Sequence, residues 1–144
     1  MTETAAICAY LADYFPDKNM IPPAGSPARA AFYRWLFFAA GPLEQAITVK
    51  SQRWAVAADQ ENVVGFGNYD KTMATLRTAL QSGPYICGEQ FTAADVYIGS
   101  HIGFGLLFNT IETNPDFEAY VKRLYARPAF QRAEQINDEQ FKSA

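Results

Sequence analysis

The chain has 144 residues, enough for one domain with a substantial core, and its 49% hydrophobic and 15% aromatic content describes a globular protein, neither disordered nor fibrous. A net charge of −3 and a pI near 5.1 give no basic footprint for nucleic acid or for an anionic membrane surface. Cys8 and Cys87, with no CxxC pair and no spaced His or Cys partners, fit reduced thiols better than a disulfide or a metal site, and no secretory signal pattern follows Met1, so a cytoplasmic protein is expected.

Thr2 or Thr4 can cap a first helix running to about Tyr14, with Ala5, Ile7, Cys8, Leu11 and Ala12 on its apolar face. Pro16 ends it. Asp17 to Pro27, carrying Pro22, Pro23 and Gly25, reads as a stiff connector. Ser26 then caps a long helix with Pro27 at its first position, where the missing proline N–H would have lacked a partner anyway. Gly41-Pro42 should kink this helix without ending it, because Leu43, Ala46, Ile47 and Val49 continue at helical spacing beyond. Gln60 to Gly67 reads as a turn. Asn68 or Tyr69 opens an amphipathic helix to about Gln81, with Met73, Leu76 and Leu80 inward and Lys71 and Arg77 in water, and Ser82-Gly83-Pro84 stops it.

Phe91-Thr92-Ala93-Ala94-Asp95-Val96 is the most specific local signal. Thr92 and Asp95 stand three apart, the spacing of a capping box, and Phe91 and Val96 can form a hydrophobic staple across it. The helix that follows has Tyr97, Ile98, Ile102, Phe104, Leu106, Leu107 and Phe108 all around its axis, which predicts burial inside a bundle. Gly99, Gly103 and Gly105 each cost roughly 1 kcal/mol against Ala in a helix, which predicts close approach by neighbours. Asn114-Pro115 starts a further helix to about Ala126 with Phe117, Tyr120, Val121 and Leu124 inward. Arg127-Pro128 opens a last short one, and Glu139 to Ala144 reads as a frayed tail. The fold class is all-α.

The run GEQFTAADVYIG, with its glycine, aromatic, Thr, two small residues and Asp, resembles the core-helix motif in the C-terminal domain of cytosolic glutathione transferases. Glu3-Thr4-Ala5-Ala6-Ile7 and Tyr10 to Asp13 resemble the last helix of that family's thioredoxin-like domain. Phe15 to Pro27 resembles the linker after it, and FYRWLFFAAGPL the first long helix of the all-helical domain in bacterial members. The resemblance implies residues 1–15 as a remnant of the thioredoxin-like domain, 16–27 as linker, and 28–144 as a helical bundle of about five to six helices with a kinked long first helix and a buried core helix.

The resemblance also implies roles. Glu3 and Thr4 would hold the γ-glutamyl end of glutathione, the co-substrate, at a helix N-terminus whose unpaired N–H groups suit a carboxylate. From the residues alone, Glu3 complements the helix dipole and Thr4 caps. Tyr33 and Phe37, four apart, with Phe38 adjacent, would line the pocket for an apolar electrophile, although for each taken singly plain core packing is the favoured reading. Thr92 and Asp95 are structural. His101, the sole histidine, reads as a hydrogen-bonded core residue, and both cysteines as small buried hydrophobes. No catalytic residue and no metal ligand is identified.

The family activates the glutathione thiol with a Tyr, Ser or Cys from the first strand-to-helix turn and uses a cis-proline strand, and these 144 residues contain neither. The full-length form is therefore expected to transfer glutathione to hydrophobic electrophiles, and this chain alone to do so weakly or not at all. The alternative is a non-catalytic module of the same fold that binds a protein partner. A homodimer is the family's usual assembly.

Overall fold

The computed structural model describes residues 1–142. Seven α-helices run in order: α1 (Thr4–Tyr14), α2 (Pro27–Phe38), α3 (Glu44–Ser51), α4 (Tyr69–Leu80), α5 (Ala93–Leu107), α6 (Pro115–Tyr125) and α7 (Pro128–Lys142). The fold is all-α; among the described residues the β-type pairing is a single bridge between Tyr85 and Gly88. No helix among them is long and apolar enough to cross a membrane.

Helix starts follow local chemistry. Ser26, Asn68 and Asn114 sit in extended backbone just ahead of α2, α4 and α6, and each side-chain oxygen accepts the N–H three residues on, from Arg29 (3.3 Å), Lys71 (2.8 Å) and Phe117 (3.1 Å). Each such cap is worth about 1 kcal/mol. Gly41-Pro42 does kink the long helix: residues Ala39–Leu43 form a single π turn that joins α2 to α3. The proline cannot donate to the ladder, and the wider turn absorbs the misfit without breaking the rod.

Helix α5 packs against α1, α2 and α6, and these contacts place the core. Phe32, Leu36, Leu43, Leu76, Ile98, Ile102, Phe117 and Tyr120 are its most buried large side chains. The glycines of α5 serve the expected close approach. A Cβ at Gly99 would strike Leu124, one at Gly103 the Tyr125 hydroxyl, and one at Gly105 would lie 2.5 Å from Ile111 Cγ1. A wall without side chains on α5 therefore lets α6 and the segment before it come close.

Several expectations need correction. Helix α5 is buried on one side only: Val96, Phe104, Leu107 and Phe108 are exposed, Phe104 at 61%, so its all-round apolar sequence covers two different environments. The first helix is capped by neither Thr2 nor Thr4. Glu3 takes the cap position without a side-chain cap bond, Thr4 is the first helical residue, and Leu11 lies exposed. The connector 16–27 contains a 3-10 turn at Pro16–Lys18 and is tied down, Ala93 N–H donating to Met20 O (2.8 Å) and Gln90 Nε2 to Asn19 O (2.7 Å). The last helix has 15 residues, and residues 139–142 of the supposed tail belong to it; Ser143 and Ala144 lie outside the described residues. Amphipathic spacing of Phe130, Ala133, Ile136 and Phe141 sustains α7 although it buries none of its residues fully.

Candidate functional site

The start of α1 carries an unusual backbone. Glu3 has φ 65° and ψ 108°, well outside the conformations that a residue with a Cβ readily adopts, and its carbonyl nevertheless accepts Ile7 N–H at 2.9 Å. Such a conformation costs on the order of 1–3 kcal/mol and persists where the surroundings hold it, most often at binding sites. Glu3 and Thr4 are both exposed. The N–H groups of the first turn have no intrahelical partner, so this end of α1 combines a carboxylate, a hydroxyl and free amide donors facing solvent. That set can hold a ligand bearing both a carboxylate and an ammonium group: the amides and hydroxyl take the first, Glu3 the second.

Thr4 also reaches a cleft of about 540 Å³ between α1, α3 and α5. Ile47, Val96, Phe104 and Phe108 form apolar walls, and Tyr97 and His101, one helical turn apart with ring centroids 4.9 Å apart, lie between them. Burial lifts the Tyr97 phenol above its ordinary range, and the Glu44 and Cys8 charges act in the same sense, against the hydrogen bond from Thr4. Burial lowers the His101 pKa, against the opposing influence of Glu44, so the imidazole is neutral at pH 7. His101 is half-buried, and its Nε2 has no hydrogen-bond partner within the protein. The expected hydrogen-bonded core histidine is thus corrected: one nitrogen is unsatisfied. Cys8 also lines the cleft, and burial pushes its thiol up.

The aromatics of α2 divide. Phe32 and Trp35 are core; Tyr33 and Phe37 are exposed, and Phe38 is half-buried with its ring edge-on to Trp35 at 5.2 Å. Arg29 fixes Tyr33, donating to its hydroxyl (3.1 Å), to Asp13 Oδ1 (3.0 Å) and to Pro22 O (2.7 Å). None of Tyr33, Phe37 and Phe38 lines the α1–α5 cleft. Arg34 lies across the Trp35 ring at 4.5 Å, beside an open groove between α2, α4 and the turn Ser82–Gly88.

Thr92 and Asp95 form the capping box and a larger network. Asp95 Oδ2 accepts from Thr92 N–H (2.8 Å) and from the Thr92 hydroxyl (3.1 Å), while Oδ1 accepts from Ile86 N–H (2.8 Å) and the Tyr120 hydroxyl (2.8 Å). Asp95 is fully buried. Its pKa is raised by that burial, against the four donors that lower it. Thr92 also donates weakly to Cys87 Sγ at 3.8 Å, and burial pushes the Cys87 thiol up to about 11, which leaves it unreactive at neutral pH. This cluster locks the start of α5 to α6 and to the 82–88 turn. Thr92, Asp95 and Tyr120 are closed off from solvent, and no group of His, Cys, Asp and Glu among the described residues could hold a metal ion.

Reasoning from sequence overlooked Tyr97, His101, Phe104 and Phe108 as one surface, although 97-101-104-108 is a helical stripe. The Tyr120–Asp95 bond carried no sequence signal, since its partners lie 25 residues apart.

No protein-family model matches the chain. It is 27% identical over 134 residues to Glutathione S-transferase GstA of Escherichia coli O157:H7, an alignment covering 92% of this chain and 66% of that protein. It is 34% identical over 101 residues to the uncharacterized GST-like protein YncG of Escherichia coli K12, covering 68% of this chain and 48% of that one. The structure superimposes on a sphingomonad glutathione S-transferase complexed with glutathione with a TM-score of 0.73 at 25% identity, covering 94% of this chain and 67% of the other. The chain thus spans between about half and two thirds of the length of the curated relatives it matches, and it carries the fold of the bacterial glutathione S-transferase family.

Proposed function

We propose that this chain, with its bacterial glutathione S-transferase fold, supplies the helical part of a glutathione-dependent transferase and holds the γ-glutamyl end of glutathione at Glu3 and Thr4. The observation that carries this reading is the Glu3 backbone. Its φ of 65° turns the residue just ahead of a helix whose first amides face solvent, a strained arrangement that capping alone does not require. In that arrangement the α1 amides bind the glutamyl carboxylate, the Thr4 hydroxyl joins them by turning away from Tyr97, and Glu3 pairs with the ammonium group. The glutathione-bound state of the sphingomonad structure supports the choice of ligand.

Residues 1–15 act as the last helix of a thioredoxin-like unit, 16–27 as linker and 28–144 as the helical domain. Tyr33, Phe37 and Phe38 form the wall for an apolar electrophile, with Arg29 holding the Tyr33 ring in place. The whole enzyme is cytoplasmic and dimeric in this reading, and it joins glutathione to hydrophobic electrophiles. Chemistry needs the thiolate, and a free thiol with a pKa of about 8.5 is mostly protonated at pH 7. Cys8 and Cys87 are raised, not lowered, and offer no cation to stabilise it. Residues 1–144 alone are therefore expected to conjugate glutathione weakly or not at all.

Calorimetric titration of glutathione into the folded chain tests this directly. Submillimolar binding that Thr4→Ala weakens by roughly 5- to 10-fold, the loss of one hydrogen bond to a charged group, supports it. Absence of binding up to several millimolar, with circular dichroism showing a folded chain, would overturn it. A second reading, a non-catalytic module for protein partners, is favoured by the exposed Tyr10, Leu11 and Tyr14 of α1 and Ile136 and Phe141 of α7. It then becomes the working hypothesis.

A further inference from the structure

We infer that Tyr97 is a positioning residue that competes with glutathione for the Thr4 hydroxyl, so that the γ-glutamyl site on α1 and the α5 wall of the neighbouring cleft share one hydrogen bond. This regulation of the α1 site rests on the glutathione reading and deepens it.

Thr4 stands where the two places meet. It is the first residue of α1, directly after the strained Glu3, and it also lines the cleft that Tyr97 enters from α5. Helices α1 and α5 pack directly on each other. Tyr97 is held in position, because its ring packs against the core and lies 4.9 Å from the His101 ring one turn along. The Thr4 hydroxyl donates to the Tyr97 oxygen, and among the groups acting on that phenol Glu44, Cys8 and Glu3 are acidic while Thr4 supplies the donor.

A threonine hydroxyl has one proton to donate and cannot serve two acceptors at once. A glutamyl carboxylate arriving at the first amides of α1 therefore competes with Tyr97 for that proton. The carboxylate wins, since a hydrogen bond to a charged acceptor is roughly twice as strong as one between neutral groups. Tyr97 is then left without its donor, and the acidic groups around it offer no equal replacement. The coupling is reciprocal: a donor group that lodges in the cleft and takes over the Tyr97 oxygen frees Thr4, and it favours glutathione by the same factor that glutathione favours it.

Competition fixes the sign of a substitution. Tyr97→Phe keeps the ring and removes the competing oxygen, so it should bind glutathione about 3- to 10-fold more tightly than the parent, the worth of one neutral hydrogen bond that no longer has to be broken. A residue that merely packs beside the site, or that touches the ligand, would give no change or a loss. Calorimetry on variants whose circular dichroism matches the parent reads this, and the double variant Thr4→Ala/Tyr97→Phe should bind like Thr4→Ala alone. A second readout uses carbon-13 at the tyrosine Cζ positions. Of the eight tyrosine signals, one, the signal missing in Tyr97→Phe, should move in the free chain on Thr4→Ala and move in the same direction when glutathione saturates the parent. Equal or weaker glutathione binding by Tyr97→Phe, or tyrosine signals that all ignore Thr4→Ala, overturns the inference and leaves the glutathione reading standing if the parent binds. No binding by the parent overturns that reading and this inference with it, and a tyrosine signal that still answers Thr4→Ala then shows that the ligand, not the hydrogen bond, was wrongly assigned.

Discussion

Helix α5 has two sides, and they behave as two different materials. On its buried side, Asp95 carries four donors, Ile98 and Ile102 are fully buried, and Gly99, Gly103 and Gly105 leave room for Leu124, Tyr125 and Ile111. Toward α1, the same helix presents Val96, Ser100, Phe104 and Phe108, all exposed, along an open cleft. On the first side no buried side-chain polar atom among the described residues lacks a partner. The second holds an unpaired nitrogen and unfilled apolar surface. Rigidity on one side is what allows the other to stay open, because the helix axis is fixed without help from the cleft residues.

Substitutions on the two sides should separate by magnitude. Asp95→Ala should cost most, about 3–5 kcal/mol by urea unfolding, since it leaves Ile86 N–H, Thr92 N–H and the Tyr120 hydroxyl buried without an acceptor. A loss below about 1 kcal/mol would mean that the network is not the keystone its geometry implies. Gly105→Ala should come next. Its Cβ would press on Ile111 Cγ1 at 2.5 Å and Cβ at 2.8 Å, and the overpacking cost exceeds the roughly 1 kcal/mol gained in helix propensity, for a net loss of about 1–2 kcal/mol.

His101 gives a smaller, pH-dependent effect. Its folded pKa lies below its unfolded value because burial disfavours the cation. The unfolded chain therefore takes up the proton first as pH falls. The stability held above the ordinary histidine pKa of about 6.5 is lost progressively as pH drops through it toward the folded value. His101→Phe should flatten the difference between urea midpoints at pH 7.5 and 5.5, and an unchanged slope would remove His101 from the account. Phe104→Lys should change stability least, within about 0.5 kcal/mol, because the side chain is 61% exposed. A large loss there would show that the open side is as structural as the closed one.

The closed side was the more legible in sequence. Thr92 and Asp95 stand at capping-box spacing, Phe117, Tyr120, Val121 and Leu124 fall on one helical face, and Ser26, Asn68 and Asn114 announce helix starts by chemistry that needs no tertiary context. The open side misled for a physical reason: an apolar residue reads the same whether it faces a neighbour or a cleft, so α5 appears uniformly buried until the positions of α1 and α6 are known. Glu3 was legible as an acidic residue at a helix start. Its backbone conformation was not, because no local rule places a residue with a Cβ at positive φ. His101 read as a hydrogen-bonded core residue, but whether a ring nitrogen finds a partner depends on elements distant in sequence, and Nε2 finds none.

The π turn at Ala39–Leu43 has a further consequence for phase. A π turn accommodates one more residue than an α turn, and each residue advances an α-helix by about 100°, so everything downstream is rotated by roughly that angle relative to an unbroken rod. Ile47 meets the cleft only after that rotation. Removing a single residue between 39 and 43 would let the rod close up as ordinary α-helix and swing Ile47, Ala46 and Val49 onto other faces. The five-residue turn thus acts as a gear that sets which side of α3 meets α1 and α5.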